Sequence, residues 1–263
     1  MNDIWEERVA HTSRTETLPN GAVRIKNVRD WTFAEGKELT KGWKNEVLVR
    51  PEHIEKIWFL LQPFPYWEGA GHTYLTFEFK DGTALSFSIE ARIKKGDSYN
   101  PFIGGVLGAY GISYLWGTER DFVTRRILFL KHSLYMYPLD IKHETAVTLV
   151  RAFVETTESH AESEKPYHTI SDNCTNLLAR IIDDYFPKRL PYDISWNFPG
   201  YSDFYLMKHD VIKTIDNDRR KTRDFYDLTP LKNTIAQFAE EPNDVFSKKL
   251  RIAMEERHKE LLS

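Results

Sequence analysis

The sequence of 263 residues predicts an α+β fold in which an antiparallel sheet packs against helices. Three observations lead to this prediction. Apolar and polar residues alternate through residues 72–92 on both sides of an Asp-Gly turn, which is typical of a β-hairpin. Apolar residues recur at helical spacing in residues 144–160 and again in residues 174–185. The charged residues 216–263 also carry helical patterns, which predicts a helical C-terminal extension.

The composition excludes several classes of function. With 41% hydrophobic residues the chain can bury a substantial core, and its net charge of −3 gives no basic surface for nucleic acid. The single cysteine cannot form an intramolecular disulfide, so the cytoplasm and a bacterial envelope compartment both stay open. Residues 1–14 lack the apolar core of a signal peptide, and there is no run of about 18 apolar residues. Membrane association is therefore expected only through an anchor outside this sequence.

The sequence divides into three parts. Residues 1–21 are predicted to be an N-terminal extension, residues 22–215 the main domain, and residues 216–263 the charged helical extension. Residues 50–62 are predicted to form an amphipathic helix, because Pro51 stands at a first-turn position and apolar residues follow at helical spacing. A strand is predicted after the Pro-Asn-Gly turn, with three residues facing the core: Val23, Ile25 and Val28.

The register of the hairpin follows from its apolar pattern. A three-residue loop from Asp81 to Thr83 would keep apolar side chains opposite one another on one face. The predicted pairs are Phe79 with Leu85, Phe77 with Phe87, and Leu75 with Ile89. In this register His72 would lie opposite Arg92 and diagonal to Glu90, at a distance that long side chains can close.

Cys174 is the only cysteine, and it lies where the polar sequence SDN changes to an apolar helical pattern. A thiol in the first turn of a helix faces unpaired N–H groups and the positive end of the helix dipole, which stabilise a thiolate. This position suits a nucleophile. The alternative is a small buried side chain, because free cysteine is among the most frequently buried residue types. From its position alone, burial is the better prediction.

A cysteine nucleophile needs a histidine base and a polar group that orients it. Among the nine histidines, His72 is the best candidate, because it begins the hairpin after a flexible EGAG stretch and has Glu90 within reach. The alternative is a solvent-exposed polar face of the hairpin. Another histidine, His168, lies near Cys174 and Asp172, but their spacing matches no metal site, so neither a metal nor a cofactor is predicted.

Five motifs of this chain resemble a known bacterial family in both order and spacing. They are GHTYLTFEF, SFSIEAR, TERDFVTRR, YMYPL and YHTISDNCTNLL. The family includes the N-terminal periplasmic domain of Lnb, the lipoprotein intramolecular transacylase. The resemblance covers most of residues 22–207. It raises the nucleophilic interpretation of Cys174 above that of a buried side chain.

The resemblance implies a site and a mechanism. The cysteine of the N-C-T motif and the histidine of the H-T-x-L-x-F motif, here Cys174 and His72, would transfer acyl groups through a thioester. The arrangement also resembles circularly permuted papain-like enzymes, in which the histidine strand precedes the cysteine helix. We expect Glu90 to orient His72. We expect three residues to support the substrate or the oxyanion: Arg92, Asn173 and Tyr74. The E-R-D motif at residues 119–121 is expected to form structural ion pairs.

Several functions remain open at this point. The first is an acyltransferase or hydrolase acting on lipid or lipoprotein acyl groups, with residues 100–111 and 63–67 as a groove for the acyl chain. The second is a thiol amidase or peptidase acting on peptide or cell-wall substrates, and the third is a non-catalytic binding module. Lnb proteins carry membrane-spanning segments beside this domain and this sequence carries none, so a soluble or peripherally reached substrate is also possible. The resemblance implies the bacterial periplasm or envelope, with the cytoplasm as the alternative.

Overall fold

The computed structural model describes residues 4–97, 110–160, 166–167, 174–185, 191 and 193–263. Within this part of the chain the fold is mixed α/β, with a large sheet and several helices, which confirms the predicted class at that level. The strands are β1 (Arg14–Thr17), β2 (Val23–Arg29), β3 (Thr32–Ala34), β4 (Lys37–Thr40), β5 (Trp43–Val49), β6 (Ile54–Pro63), β7 (Gly71–Phe79), β8 (Ala84–Arg92), β9 (Tyr110–Thr118), β10 (Tyr135–Pro138) and β11 (Pro166–Tyr167).

The helices cover both faces of the sheet. They are α1 (Glu119–Thr124), α2 (His143–His160), α3 (Cys174–Tyr185), α4 (Ser202–Lys208), α5 (Arg219–Phe225), α6 (Lys232–Gln237) and α7 (Asn243–Leu262). A π-helical segment, Arg125–Phe129, continues α1 without a break. The predicted helices at residues 144–160 and 174–185 are thus confirmed. Among the described residues, no helix is both long and apolar enough to cross a bilayer.

The main sheet joins nine of the described strands. Its order is β1-β2-β9-β8-β7-β6-β10, with β5 also paired to β2 and β11 paired to β9. Neighbouring strands are antiparallel except β2 and β9, which share one parallel pair, Arg29 with Gly117. Strands β7 and β8 therefore lie in the middle of the sheet, and both of their faces are buried.

The hairpin β7–β8 is present, but its predicted register was wrong by two residues. Leu75 lies opposite Phe87, and Phe77 lies opposite Leu85. The cause is Gly82, which has a φ of +86° and therefore takes the left-handed position that ends a type I turn. The loop is consequently residues 80–82 rather than 81–83. A shift of two leaves every side chain on its predicted face, because the side chains of a strand repeat with a period of two.

The predicted helix at residues 50–62 was wrong as well. A single 3-10 turn, Pro51–His53, precedes the ten-residue strand β6. This strand lies between β7 and β10, and its residues 57–62 are all buried. A strand buried on both faces has a continuous apolar run instead of an alternating one. Such a run contains apolar residues at helical spacing by chance, which explains the misassignment.

The two faces of the sheet bury two separate cores. We call the first the apolar face: the side chains of Leu75, Phe77, Phe87 and Trp116 pack there against α2, α3 and α4. We call the second the mixed face: Trp58, Leu60, Tyr74 and Leu115 pack there against α1, the π-helical segment and α7. Strand residues alternate between the two, so consecutive residues of β7 and β8 face different cores.

The C-terminal residues contribute to the mixed face. Helix α7 buries a stripe of apolar side chains at helical spacing: Phe246, Leu250, Ala253 and Met254. Arg251 on the same helix reaches the sheet, where it pairs with Glu78 at 3.0 Å and with Glu119 at 2.7 Å. The charged C-terminal residues, which suggested a solvated extension, therefore include Arg251, whose ion pairs lie at the core of the mixed face. The division of the chain at residues 21 and 215 stays a prediction.

Candidate active site

His72 is the second residue of β7, and two residues of β8 hold its ring. Its Nε2 atom lies 2.7 Å from Ser88 Oγ and 3.4 Å from Glu90 Oε1. Ser88 Oγ in turn donates to Glu90 Oε1 at 3.0 Å. The observed hairpin register, carried to the end of the strands, puts His72 opposite Glu90. The predicted association of His72 with Glu90 is therefore present, with Ser88 between the two side chains.

This chain of contacts defines the tautomer of His72. The Ser88 hydroxyl has one proton, and it gives that proton to Glu90, which can only accept when ionised. Ser88 Oγ must then accept from His72, so the imidazole carries its proton on Nε2. The other ring nitrogen, Nδ1, is left with a lone pair in the neutral ring. An imidazole held this way can accept a proton at Nδ1.

Glu90 is kept ionised by positive charge. Burial opposes its ionisation, but the charge that His72 carries when protonated, the hydrogen bond of His72 and the charges of Arg126 and Arg125 hold the pKa of Glu90 well below its ordinary value. Arg126 Nη2 lies 3.5 Å from Glu90 Oε1. A partly buried carboxylate with cationic neighbours is a stable orienting group for an imidazole. We call His72, Ser88, Glu90 and Arg126 the His72 site.

Tyr74 packs against this site on the mixed face. Its ring stacks on the ring of His72 with centroids 6.1 Å apart, and the guanidinium of Arg126 lies 4.2 Å from the centre of the Tyr74 ring. The side chain is fully buried, and burial raises the pKa of its hydroxyl. The Tyr74 hydroxyl has no hydrogen-bond partner among the described residues. Tyr74 therefore supports the position of the imidazole by packing, whereas its predicted role toward substrate stays a prediction.

The E-R-D motif forms three ion pairs beneath the site. Glu119 pairs with Arg251, Arg120 pairs with Asp30 at 2.8 Å, and Asp121 binds both Nε and Nη2 of Arg29. Arg29 and Asp121 are almost completely buried. Burial opposes the charge of Arg29, but Asp121 and Glu90 raise its pKa above the ordinary value. The expected ion pairs are thus present, and they tie α1 to β2 and to α7.

Helix α3 begins at Cys174, as the capping residues before it predicted. The structure describes this residue as the start of the helix, while Asn173 lies outside the described residues. The next residue, Thr175, contacts Thr73 on β7, with their hydroxyl oxygens 2.8 Å apart. Asn176 donates to Asn197 at 3.0 Å. The first turn of α3 is therefore attached to β7 at the residue that follows His72.

A cavity of about 470 Å³ opens beside this attachment on the apolar face. Its walls include Thr73 and Thr175 themselves, and apolar side chains form most of the remainder: Phe59, Leu75, Leu139, Ile141, Leu149, Leu178, Ala179, Ile182, Trp196, Leu206 and Val211. The volume is in the range of small-molecule sites. The groove predicted from residues 63–67 lies elsewhere, in a second cavity with Tyr135 and Arg223, and residues 100–109 lie outside the described part.

Arg92 lies on β8 two residues beyond Glu90. Its guanidinium donates to the backbone carbonyls of Val9 and Ala10, both at 3.2 Å, and it packs over the ring of Trp5. These contacts connect the N-terminal segment to the sheet. The predicted role of Arg92 in supporting an oxyanion stays a prediction, and its described contacts are to residues 5–10.

Sequence reasoning missed two members of the His72 site. Ser88 shares a strand face with Glu90, and the correct hairpin register would have placed it diagonal to His72. Arg126 lies in the TERDFVTRR motif, but a basic residue 36 positions from Glu90 in sequence carries no local signal of that contact. Among the described residues, no group of three His, Cys, Asp or Glu side chains could hold a metal ion.

The fold and the site together define a class: a mixed α/β domain with a carboxylate-oriented histidine on a central strand and a cysteine at the start of a helix attached to that strand. The chain belongs to the family described as the Lnb N-terminal periplasmic domain, which matches residues 40–198. This match spans the predicted cysteine, the histidine and the E-R-D motif. No curated protein and no solved structure matches the chain.

Proposed function

We propose that this protein is a cysteine-dependent acyltransferase or hydrolase that works through a thioester intermediate. The observation that carries the proposal is the chain from His72 through Ser88 to Glu90, which leaves the imidazole ready to accept a proton at Nδ1. The attachment of Thr73 to Thr175 supports it further. His72 and Cys174 each precede one of these threonines, so the Cα atom of each lies about 3.8 Å from the Cα atom of a threonine in the pair.

The proposed reaction has two halves. The Cys174 thiol gives its proton to His72 Nδ1, and the thiolate attacks the carbonyl carbon of an acyl ester, forming a C–S bond. The tetrahedral intermediate collapses, the ester C–O bond breaks, and His72 returns the proton to the departing alcohol oxygen. In the second half an amine or water attacks the thioester, His72 takes its proton, and the cysteine leaves with that proton. Ser88 and Glu90 hold the imidazole and stabilise its charge throughout.

The start of α3 would favour both charged species. The helix dipole lowers the pKa of a thiol in the first turn, which increases the population of thiolate. The backbone N–H groups of a first turn have no partners within the helix, so they can donate to the oxyanion of the tetrahedral intermediate. This explains in physical terms why a nucleophile would be placed at residue 174.

The substrate we propose is an acyl chain on a lipid or lipoprotein. The cavity of about 470 Å³ is lined mainly by apolar groups, and its walls include Thr73 and Thr175, the residues that follow His72 and Cys174. Peptide or cell-wall amides are the alternative substrate. The order of a histidine strand followed by a cysteine helix is that of a circularly permuted papain-like enzyme, and we propose this relationship for the fold. The family description names a periplasmic domain, which supports our proposal of a periplasmic location.

Trapping of the acyl-enzyme tests the mechanism. We expect the protein to gain the mass of one acyl group when mixed with a long-chain p-nitrophenyl ester, and hydroxylamine should remove it, as thioesters require. C174A should gain no mass. H72A should react at least about 100-fold more slowly, the usual contribution of a positioned general base. Intact-protein mass spectrometry and release of p-nitrophenol measure both effects.

Three further variants make the test specific. H143A removes an exposed histidine at the start of α2, and it should react like the native protein. S88A should slow acylation less than H72A does, because Ser88 acts only through the imidazole. Full activity in C174S with an intact fold would exclude the thioester mechanism. An iodoacetamide reaction with an ordinary thiol pKa of about 8.5 would favour a binding module instead.

A further inference from the structure

Arg125, at the start of the π-helical segment, has a guanidinium group without a hydrogen-bond or ion-pair partner among the described residues. It is half-buried, and in the described part of the chain it forms no ion pair and no side-chain hydrogen bond. Its Nε atom is fully shielded from solvent. The neighbouring Arg126 is almost completely buried, and its Nε atom also lacks a partner among the described residues. Arg126 uses Nη1 for the backbone carbonyl of Phe122 and Nη2 for Glu90, so only its Nε is unused, and Arg125 contributes most of the unused donors.

The carboxylates near these arginines are already engaged. Glu90 is shared by His72, Ser88 and Arg126. Asp121 uses both of its oxygens to accept from Arg29 and from the backbone N–H of Trp31. Glu6 pairs with Arg8 at 2.6 Å. Positive charge therefore exceeds negative charge around Arg125.

The imbalance has a measurable consequence. Burial, together with the charges of Arg8, Arg126 and Arg29, lowers the pKa of Arg125 to about 9. The pKa of an ordinary guanidinium lies above 12. The lower pKa of Arg125 therefore means that its surroundings disfavour its positive charge. Burying a charge without a counter-ion is costly. Binding of an anion would remove this cost.

The position of Arg125 connects it with the His72 site. Burial and the charges of Arg125 and Arg126 lower the pKa of His132. His132 accepts a contact from Gln62 at 2.6 Å, and Gln62 lies directly opposite His72 in the pairing of β6 with β7. The positive charge of Arg125 also lowers the pKa of Glu90. The cationic group is therefore near the end of β7 where the proposed reaction takes place.

We infer that Arg125 and Arg126 form a binding site for an oxyanion, a phosphate or a carboxylate. A guanidinium presents parallel N–H donors that match two oxygens of such a group, and these charge-assisted hydrogen bonds are strong. The ligand could be free phosphate or the headgroup of an anionic lipid. That the bound anion belongs to the acyl substrate rests on the proposed function, whereas the site itself does not depend on Cys174.

Thermal unfolding with inorganic phosphate tests the site. Phosphate should raise the Tm of the native protein in a concentration-dependent manner, because a ligand that binds only the folded state stabilises it. R125Q should bind phosphate about 10-fold to 100-fold more weakly, the loss expected for one charge-assisted pair of hydrogen bonds. Without phosphate, R125Q should unfold at a higher temperature than the native protein, because like charges no longer repel. A structural ion pair would give the opposite sign.

The matched control is R257Q. Arg257 is half-buried on α7 and its Nε also lacks a partner among the described residues, but its Nη2 donates to the backbone carbonyl of Asp224 at 3.0 Å. R257Q should keep the full response to phosphate. No Tm increase in the native protein, or an equal increase in R125Q, would overturn the inference.

Vesicles identify the source of the anion. Stronger sedimentation with phosphatidylglycerol vesicles than with phosphatidylcholine vesicles, reduced in R125Q, would support the site as one for lipid headgroups. A response to phosphate without vesicle binding would support it as a site for a free anion. All of these measurements can be repeated in C174A. If C174A forms no acyl-enzyme but its Tm still rises with phosphate, the anion site is independent of the thioester chemistry. The two proposals can therefore fail separately.

Discussion

The two faces of the sheet are both buried, but different interactions hold them. On the apolar face, Phe87 contacts Tyr114, Trp116 and Phe153, and packing between carbon-rich side chains predominates, with few buried polar pairs such as Thr73–Thr175. On the mixed face, apolar residues surround ion pairs such as Arg29 with Asp121. The apolar face contains the cavity, whereas the mixed face contains the His72 site.

This difference shows that the two faces meet different structural requirements. Apolar packing is non-directional, so an apolar face can border a cavity without leaving many polar groups unpaired. Buried polar groups have fixed geometry because each must keep its partner. The mixed face therefore suits an imidazole that must be held at one orientation. Substitutions can test the comparison. On the mixed face the free energy of unfolding should depend on charge, whereas on the apolar face it should depend on side-chain volume.

The largest effect should come from D121A on the mixed face. It leaves the charge of Arg29 buried without a counter-ion, which costs about 3–5 kcal/mol in the free energy of unfolding. Urea denaturation measures the change. The double variant R29M/D121L should recover much of the loss, because neither side chain is then charged. An equal loss in the double variant would mean that volume, rather than charge, determines this site.

A smaller effect is expected from L75A on the apolar face. Leu75 is buried and borders the cavity, so part of its surface already lacks neighbours, and its loss should cost about 2–3 kcal/mol. L75M, which keeps the volume, should cost less than about 1.5 kcal/mol. Urea denaturation again gives both values. D121N keeps the shape of Asp121 but should remain strongly destabilising, and an equally mild effect of D121N and L75M would contradict the comparison.

The pH dependence of stability should distinguish Glu90 from surface carboxylates. The folded-state pKa of Glu90 lies well below its unfolded value of about 4.3, so its contribution is complete above that pH and is lost as the pH falls through the folded value. The stability difference between the native protein and E90Q should therefore shrink below about pH 4. Urea midpoints between pH 7 and pH 3 measure it. The exposed Glu55→Gln serves as the control, and a pH-independent difference for E90Q would refute the assignment.

Local sequence signals predicted the helices and strands better than they predicted which residues contact one another in the fold. The hairpin and the helices α2 and α3 follow from periodicity, which is a property of neighbouring residues. The position of Gly82 in its turn shifted the hairpin register, and burial of β6 on both faces made a strand resemble a helix. The first error came from local turn geometry, and the second came from tertiary context, because the number of faces a strand buries is determined by distant parts of the chain.

The candidate site shows the same limit. His72 and Glu90 could be associated because they belong to one hairpin, and the error in register did not move them to different faces. Arg126 reaches Glu90 from a helical segment, and Arg251 reaches Glu78 from the C-terminal helix. Contacts between such distant residues depend on the assembled fold. The resemblance to a family could indicate which residues are associated, but not the distances and partners that orient them.

The smallest effect in stability, and the most informative for function, should come from the hydroxyl pair Thr73–Thr175. The single variants T73V and T175V each leave one buried hydroxyl without this partner and should cost about 1–2 kcal/mol, whereas T73V/T175V should cost less than the sum. The matched pair Thr76–Ser86 lies within the hairpin on the mixed face at 2.7 Å, and T76V/S86A should behave similarly in urea. Only the first pair attaches α3 to β7. We therefore expect T73V/T175V, but not T76V/S86A, to slow acyl-enzyme formation in the mass assay. Equal rates in the two double variants would show that this attachment does not position the cysteine relative to the imidazole.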